Sequence, residues 1–276
     1  MSVDSEKSTS PKDFKSPASF ECLQNDRLPR ALATLDNPPE RLFYRGDLTL
    51  LQSAHKIAIV GTRKPNPYTK AFVAQIASKI ARYGGIVVSG GALGVDIIAH
   101  AHAQPRTIMF SPSSLDILYP KSNAQLISQM MSQALVLSEY EREYMPHRYS
   151  FLERNRLVIA MSEVVIIPQA DLYSGSMQSA RLALELGKPL FVLPHRIGES
   201  EGTNSLLQSS KARAIYHIDG FIEEILGKEI GARDEVLDFI ALNPSIEAGL
   251  ERFGALLYEY ELEGKIRREG GSWCLA

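Results

Sequence analysis

The sequence has no apolar run that approaches the ~18 residues needed to span a membrane, and it has only two cysteines. Cys22 and Cys274 lie near opposite ends of the chain, so they form neither a metal-binding spacing nor a disulfide framework. Residues 1–19 are rich in Ser, Lys and Asp and lack the apolar core of a targeting signal. We therefore expect a disordered tail at 1–19, a reducing cytoplasmic location and no membrane association.

An excess of basic charge is also missing, since the formal net charge is −2. A nucleic-acid site would therefore have to be a local basic groove. The 276 residues are 45% hydrophobic and 22% charged, which is an ordinary globular composition. This length suits one sizeable α/β domain with a small appendage.

The sequence lacks the motifs of several kinds of metal-binding, phosphate-binding and catalytic site. His100 and His102 are two residues apart on a predicted helix, so they face different sides and do not form a metal pair. The Gly-Lys pairs at 187, 227 and 264 do not continue into a phosphate-binding P-loop. No pairing of a nucleophile with a base is apparent. We predict no catalytic residue, metal or cofactor.

Short runs of Val and Ile alternate with amphipathic segments along most of the chain. Residues 28–51 are interpreted as a helix and a loop. Strands are predicted at 56–60, 86–89, 107–110, 135–138, 164–168, 189–193 and 214–217, and helices at 69–83, 95–103, 123–133, 152–161, 176–186, 204–211 and 221–226. Strands covered on both faces indicate an α/β fold with a doubly wound, mostly parallel, Rossmann-like sheet over 20–226. Ligands of such sheets bind outside the carboxyl ends of the strands.

The pattern changes at about residue 227. Two or three short helices precede an expected hairpin at 265–273 with Gly270 and Gly271 in its turn, which fits a small winged-helix-like module over 227–276. Residues 233–276 include nine acidic and five basic side chains. Because such a module is poorly suited to reading nucleic acid, we assign it an interaction or structural role.

A glycine-rich turn at 89–94 follows the strand at 86–89 and precedes a helix. Glycine lets the backbone approach a phosphate closely, and the N–H groups at a helix start then point at it. Ser89 stands where a dinucleotide fingerprint has its first glycine. On its own, the turn is equally consistent with a tight connection between strand and helix.

Two further strand ends carry small or hydroxyl residues: Gly61, Thr62 and Arg63 after one strand, and Ser174, Gly175 and Ser176 after another. Together with the glycine turn, these loops favour an anion site made of N–H dipoles and one fixed charge.

Residues 148–156 form a basic stretch that contains an aromatic residue. Arg154 and Arg156 fall on different helix faces, so at most one should enter a given groove, and the other should pack or pair with Glu153 or Glu185. Phe151 is interpreted either as a hydrophobic staple of its helix or as a stacking platform for a nucleobase.

These segments together resemble the DNA-processing protein A family (DprA/Smf) of bacteria over residues 28–226. The matching pieces are 45–47, 59–63, 88–96, 115–120, 137–140, 151–156, 174–176 and 202–204. The chain departs from many relatives at 111–114, and at Leu152 and Glu153, where an acidic side chain removes an expected positive contact.

The resemblance implies an extended Rossmann domain that binds single-stranded DNA, and double-stranded DNA more weakly. It implies a homodimer that helps to load the RecA recombinase during natural transformation, with Arg63 on a phosphate and Phe151 stacked on a base. The expected DNA-binding residues are Gly61, Thr62, Arg63, Ser89, Gly90, Gly91, Ala92, Leu93, Gly94, Arg148, Phe151, Arg154, Asn155, Ser174, Gly175 and Ser176.

A competing reading is an enzyme that resembles the LOG-like phosphoribohydrolases, which cleave nucleoside monophosphates on a related sheet. That family carries a catalytic glutamate after a glycine-rich turn. The comparable position here is Ser179, so the required general acid or base is missing.

Overall fold

The computed structural model describes residues 20–227 and 235–275, so the tail predicted at 1–19 lies outside the described residues. The chain divides into two compact units, one ending at Gly227 and one beginning at Lys228. Each is described by itself below.

The first unit is built on a nine-stranded sheet. Its strands are β1 Glu21–Gln24, β2 Arg41–Gly46, β3 Lys56–Ile59, β4 Ile86–Ser89, β5 Thr107–Phe110, β6 Leu135–Ser138, β7 Val164–Ile167, β8 Leu190–Val192 and β9 Arg213–Ala214. They lie in the order β1-β2-β6-β5-β4-β3-β7-β8-β9. The seven strands from β6 to β9 pair in parallel, whereas β1 and β2 add an antiparallel edge.

Seven helices accompany the sheet among the described residues. They are α1 Pro67–Arg82, α2 Val95–Ala103, α3 Ala124–Gln133, α4 Arg148–Met161, α5 Gly175–Glu185, α6 Glu201–Gln208 and α7 Ile218–Leu226. Every residue of β3 to β8 is buried, as expected for strands that are covered on both faces. The doubly wound, mostly parallel sheet predicted from the sequence is confirmed.

The prediction of a helix within 28–51 is wrong. The structure has short 3₁₀ turns at Asn25–Arg27, Arg30–Thr34 and Leu48–Leu51, and strand β2 lies between the last two. Leu42 and Tyr44 are buried while Arg41 is exposed, so the burial alternates as in a strand with one covered face. Pro38 and Pro39 disfavour a helix that continues through this region, and pairing with β6 satisfies the β2 backbone instead.

The arrangement of β3 fixes where a ligand can enter. From β3 the chain continues through β4, β5 and β6 on one side, and it then returns to place β7 on the other side. The loops after β3 and β7 therefore diverge in opposite directions and leave a crevice between them. This is the topological switch point, where open α/β sheets bind ligands.

Helix α4 begins one turn earlier than the sequence predicts, at Arg148 instead of residue 152. The backbone N–H of His147 donates to Ser150 Oγ at 3.1 Å, which satisfies a donor at the start of the helix. Arg148 and Phe151 therefore stand on the first turn of a helix and have fixed directions.

The second unit has three helices, α8 Glu235–Ile240, α9 Ile246–Phe253 and α10 Leu256–Leu262, followed by the hairpin of β10 Ile266–Glu269 and β11 Ser272–Leu275. Trp273 is fully buried in a small core of its own with Val236, Ile240, Leu257 and Ile266. In both described ranges, no helix combines the length and apolar character required to cross a membrane.

Candidate functional site

A cavity of about 460 Å³ opens at the crevice between β3 and β7. Its walls come from the loops after β3 and β4, the first turns of α4 and the start of α5. The lining residues are Val60, Gly61, Thr62, Arg63, Ala92, Asp96, Arg148, Phe151, Leu152, Arg154, Asn155, Tyr173, Ser174, Gly175, Ser176 and Gln178. We call this the switch-point cavity.

Most of the residues chosen from the sequence meet at this cavity. Eleven of them line it, namely Gly61, Thr62, Arg63, Ala92, Arg148, Phe151, Arg154, Asn155, Ser174, Gly175 and Ser176. The other five, Ser89, Gly90, Gly91, Leu93 and Gly94, are not part of its lining.

The loop after β3 is held by backbone hydrogen bonds. The N–H of Thr62 donates to the Gln169 carbonyl at 2.9 Å, and the N–H of Val95 donates to the Thr62 carbonyl at 3.2 Å. A Cβ at Gly61 would lie 2.8 Å from Val95 Cγ2, so only glycine fits this close approach. The loop therefore turns Arg63 out to the cavity mouth, where its side chain is exposed.

Ala92 of the glycine turn after β4 lines the cavity, and the other residues of the turn pack behind it. Ser89 is buried, and its hydroxyl donates to the Ile59 carbonyl at 2.6 Å. Gly94 has a φ of +82°, and a Cβ there would lie 2.7 Å from Arg63 Cα. Gly94 thus supports the Arg63 loop from behind, and direct contact of the turn with a ligand stays a prediction.

Asp96 and Arg154 form the buried base of the site. The N–H of Gly90 donates to Asp96 Oδ2 at 3.2 Å. Burial raises the pKa of Asp96, while the Arg154 charge and the amides of Ala92, Gly90 and Gly61 lower it. Asp96 therefore ties the loops after β3 and β4 to one carboxylate.

Arg154 is only 2% exposed. Its Nη1 donates to the carbonyl of Gly90 and, at 2.6 Å, to that of Phe110. Burial lowers the pKa of Arg154 to about 10, with Asp96 acting in the opposite direction, so the guanidinium remains charged at neutral pH. Arg154 fixes the wall of the cavity and adds positive potential from below.

Arg156 points away from the cavity, as only one of the two arginines was expected to enter. Its Nη2 donates to Glu139 Oε1 at 2.6 Å, so the predicted pairing with Glu153 or Glu185 is wrong. Glu139 directly follows β6, which brings it beside α4, and Glu153 instead accepts a hydrogen bond from the Tyr140 hydroxyl at 3.0 Å.

Phe151 is half-buried at the cavity wall and contacts two other predicted loops. The Arg63 guanidinium lies 4.9 Å from the centre of its ring, a cation–π distance. The ring of Tyr119 lies 5.7 Å away. One face of Phe151 thus belongs to the site, in contact with the arginine at the mouth.

Two exposed arginines, Arg63 and Arg148, line the mouth of the cavity. Among the described residues, neither Arg63 nor Arg148 has an ion pair with a carboxylate. Across the cavity, Ser174 caps α5 by accepting the Met177 N–H at 3.4 Å, and Gly175 and Ser176 form the first turn of that helix. Two unpaired arginines and a helix N-terminus create a positive potential that suits an anion.

Sequence reasoning missed Tyr173, which lines the cavity and is 99% exposed. It directly precedes Ser174, but no periodicity marks an exposed loop aromatic. Its exposure follows from the turn in which the Ser174 hydroxyl donates to the Asp171 carbonyl at 2.7 Å. The described part of the chain holds no cluster of three or more His, Cys, Asp or Glu side chains suited to a metal.

The fold and this site define a doubly wound α/β protein with a cleft at its topological switch point that is lined by exposed arginines and a helix N-terminus. Comparison with known protein families assigns the chain more narrowly. The family model for DNA recombination-mediator protein A matches residues 19–226. The chain therefore belongs to the DNA-processing protein A family.

Individual relatives agree. The chain is 36% identical over 208 residues to DNA processing protein DprA of Bacillus subtilis, which covers 74% of this chain and 70% of the relative. It is 33% identical over 189 residues to protein Smf of Synechocystis, covering 66% of this chain but about half, 48%, of that relative.

A solved structure shows the same fold. The structure of DNA processing protein A from Helicobacter pylori, described for its single-stranded DNA binding mode, superposes with a TM-score of 0.75 at 52% identity. The superposition covers 78% of this chain and 99% of that one.

Proposed function

We propose that this protein binds single-stranded DNA at the switch-point cavity, with Arg63 and Arg148 on phosphates and a base stacked on Phe151. The observation that carries the proposal is a pair of arginines that have no ion pair with a described carboxylate and lie beside an aromatic ring at the switch-point crevice. The single-stranded DNA binding described for the H. pylori relative supports it.

The cavity chemistry favours single strands of any sequence. Phosphates carry no base information, so contacts from arginines and helix N–H groups are sequence-tolerant. A base can reach Phe151 only if it is free of a partner strand, since stacking needs an open π-face. Double-stranded DNA should therefore bind more weakly.

The remaining predicted residues act around these contacts. Gly175 and Ser176 offer N–H groups at the start of α5, and Asn155 donates through Nδ2 to Ser179 Oγ at 3.2 Å beside them. Arg154 and Asp96 hold the loops at the base. The turn at 89–94 sets the position of the Arg63 loop.

Beyond DNA binding, we propose a cytoplasmic recombination mediator that acts as a homodimer and helps to load the RecA recombinase on incoming strands. The family model's description as a recombination mediator supports this role. Sedimentation of the protein should give the mass of a dimer, and addition of the protein should speed RecA filament growth on coated single strands. A monomer with no effect on filament growth would refute this part.

We do not favour the phosphoribohydrolase alternative. Ser179, at the place of that family's glutamate, is buried and its hydroxyl donates to the Gly175 carbonyl at 3.4 Å. Incubation with nucleoside monophosphates should release no free base, and base release above a buffer blank would reinstate the enzyme.

The central test is a fluorescence anisotropy titration with labelled oligothymidine and competing thymidine monophosphate. Oligomers should bind far more tightly than the monophosphate, and the affinity should fall with salt by a log–log slope of about −0.7 per neutralised phosphate. Arg63→Ala should weaken binding to all sequences alike and reduce the slope by about 0.7.

Arg82→Ala is the matched control, because Arg82 ends α1 at the opposite edge of the sheet. Equal affinity for oligomers and the monophosphate, or normal binding by Arg63→Ala, would contradict the proposal.

A further inference from the structure

A second cavity of about 670 Å³ opens at the same edge of the sheet. It lies between the start of α1, with Asn66 and Tyr68, and the loop after β8, with His195 and Arg196. We call it the β8 groove. None of its residues was expected to bind DNA.

The loop after β8 is held in shape by Asn204. Asn204 Oδ1 accepts the His195 N–H at 3.3 Å, and its Nδ2 donates to the carbonyls of His195 and Arg196 at 3.3 Å and of Glu199 at 3.0 Å. The 202–204 motif does not line the switch-point cavity. Through Asn204 it instead holds the loop after β8, which forms one wall of the groove.

The same loop is anchored to the strand end that borders the switch-point cavity. The His195 side chain is fully buried, and its Nε2 lies 2.9 Å from the Pro168 carbonyl oxygen just after β7. The N–H of Gly202 donates to the Ala170 carbonyl at 3.0 Å. The loops after β7 and β8 therefore form one continuous floor.

The groove offers an aromatic ring and a positive charge, and its lining also includes one carboxylate, that of Glu199. Tyr68 is 40% exposed, and its ring packs against that of His195, with centroids 5.4 Å apart in a T-shaped arrangement. Arg196 is exposed and has no ion pair with a carboxylate among the described residues. Aromatic platforms combined with basic side chains are the means by which proteins hold single strands.

Residues that are close in sequence line the two cavities, and Gln169 makes hydrogen bonds to the loop segments of both. Arg63 lines the first and Asn66 the second, and three residues span at most about 11 Å. Gln169 joins them, since its carbonyl accepts the Thr62 N–H at 2.9 Å and its Oε1 accepts the Asn66 N–H at 3.0 Å. A stacked strand rises about 3.4 Å per nucleotide and an extended strand rises more, so at most about three nucleotides cover this distance.

We propose that the β8 groove is a second nucleotide subsite, in which the same DNA strand continues from the switch-point cavity, with a base stacked on Tyr68 and a phosphate on Arg196. The inference rests on the proposed function of the first cavity. It assigns the neighbouring groove to the same single-stranded ligand, because the two share a floor and lie within a few nucleotides of each other.

The test compares short and long strands. Anisotropy titrations with dT2, which is too short to fill both subsites, and with dT12 should show that Tyr68→Ala and Arg196→Ala weaken dT12 binding about fivefold or more while changing dT2 binding less than about twofold. Tyr68→Phe should bind dT12 normally, because it retains the ring. Tyr83→Ala and Arg82→Ala, at the other end of α1, are the controls, and thermal melting of each variant reports folding.

Unchanged dT12 binding in both variants, or equal losses on dT2 and dT12, would overturn the subsite. The Arg63→Ala variant separates the two proposals, since a loss of dT2 binding there reports the first cavity alone. If Arg63→Ala binds dT2 normally, the proposed function fails, whatever the Tyr68 variants show.

Discussion

Phe151 and Arg63 come from separate loops, yet the guanidinium rests on the ring at 4.9 Å. A base can occupy that face only after the guanidinium moves off it. In the proposed complex, phosphate binding by Arg63 would therefore be linked to base stacking on Phe151.

Phe151→Ala should weaken oligothymidine binding by about 1–3 kcal/mol while leaving the fold intact, since the ring is half-buried. Anisotropy titrations of both proteins give the difference, and circular dichroism checks the fold. Tyr119→Ala, which removes the ring's neighbour, should cost less. Unchanged affinity in Phe151→Ala would instead favour a purely structural role for the ring within α4.

His100 gives a pH dependence that is independent of DNA. It is fully buried in α2 with Nδ1 2.7 Å from Thr107 Oγ1, and burial, helped by the Arg154 charge, lowers its pKa to about 3. Below pH 6.5, His100 binds a proton in the unfolded chain but stays neutral in the folded protein. The resulting stability is present above pH 6.5 and is lost as the pH falls towards 3.

The free energy of unfolding should thus fall by about 1 kcal/mol more between pH 7 and 5.5 in the wild type than in His100→Gln. Urea denaturation at the two pH values measures this difference. Parallel pH profiles for both proteins would show that the histidine is protonated in the fold.

Individual residues also show which features of the site could be predicted from the sequence and which could not. Arg63 could be chosen because it follows a buried strand, and chain connectivity alone places such a residue at the carboxyl edge. The partner of Arg156 could not, because Glu139 is 17 positions away and becomes a neighbour only when β6 and α4 meet. The exposure of Tyr173 depends on a loop conformation that no periodicity encodes.

At the scale of elements, the strands β3 to β8 could be predicted because each is a fully buried run of apolar residues between helices. Strand β2 could not, because its burial alternates and two arginines interrupt it. Its identity depends on antiparallel pairing with β6, which is a long-range contact. The start of α4 was missed by one turn because Ser150 acts through a local hydrogen bond and not through an apolar pattern.

The glycine turn gives a prediction at this scale. Gly94→Ala places a Cβ against the backbone of Thr62 and Arg63, so the loop after β3 must shift and DNA binding should fall about tenfold or more. Gly187→Ala is the control, since Gly187 also has a positive φ, +65°, but has no atom within 4 Å of the added Cβ.

Both variants incur backbone strain, and Gly94→Ala incurs more, because Gly94 combines a φ of +82° with a ψ of −124° and its Cβ would meet the Thr62 carbonyl oxygen. Thermal melting records the loss of stability in each variant, and both are compared at a temperature where they are folded. Anisotropy titrations should separate them, with Gly187→Ala binding normally. Equal binding by the two variants would show that the turn does not position Arg63.

At the scale of the whole molecule, the two units have separate cores, one under the nine-stranded sheet and one around Trp273. A chain that ends at Gly227 should therefore fold and bind oligothymidine within about twofold of the full-length affinity, since the second unit is acidic. Circular dichroism and anisotropy of the shortened chain check this. A large loss of affinity in a folded 1–227 chain would assign DNA contact to the second unit.

The edge strands of the nine-stranded sheet determine whether copies of the protein can pair through their sheets. A sheet border with free N–H and C=O groups invites other chains to pair with it. Here β9 pairs over only two residues, and Arg213 on it is tied to Glu224 through both guanidinium nitrogens. At the opposite border β1 has four residues and begins with the charged Glu21. These short, charged edge strands therefore disfavour edge-to-edge pairing between copies of the sheet.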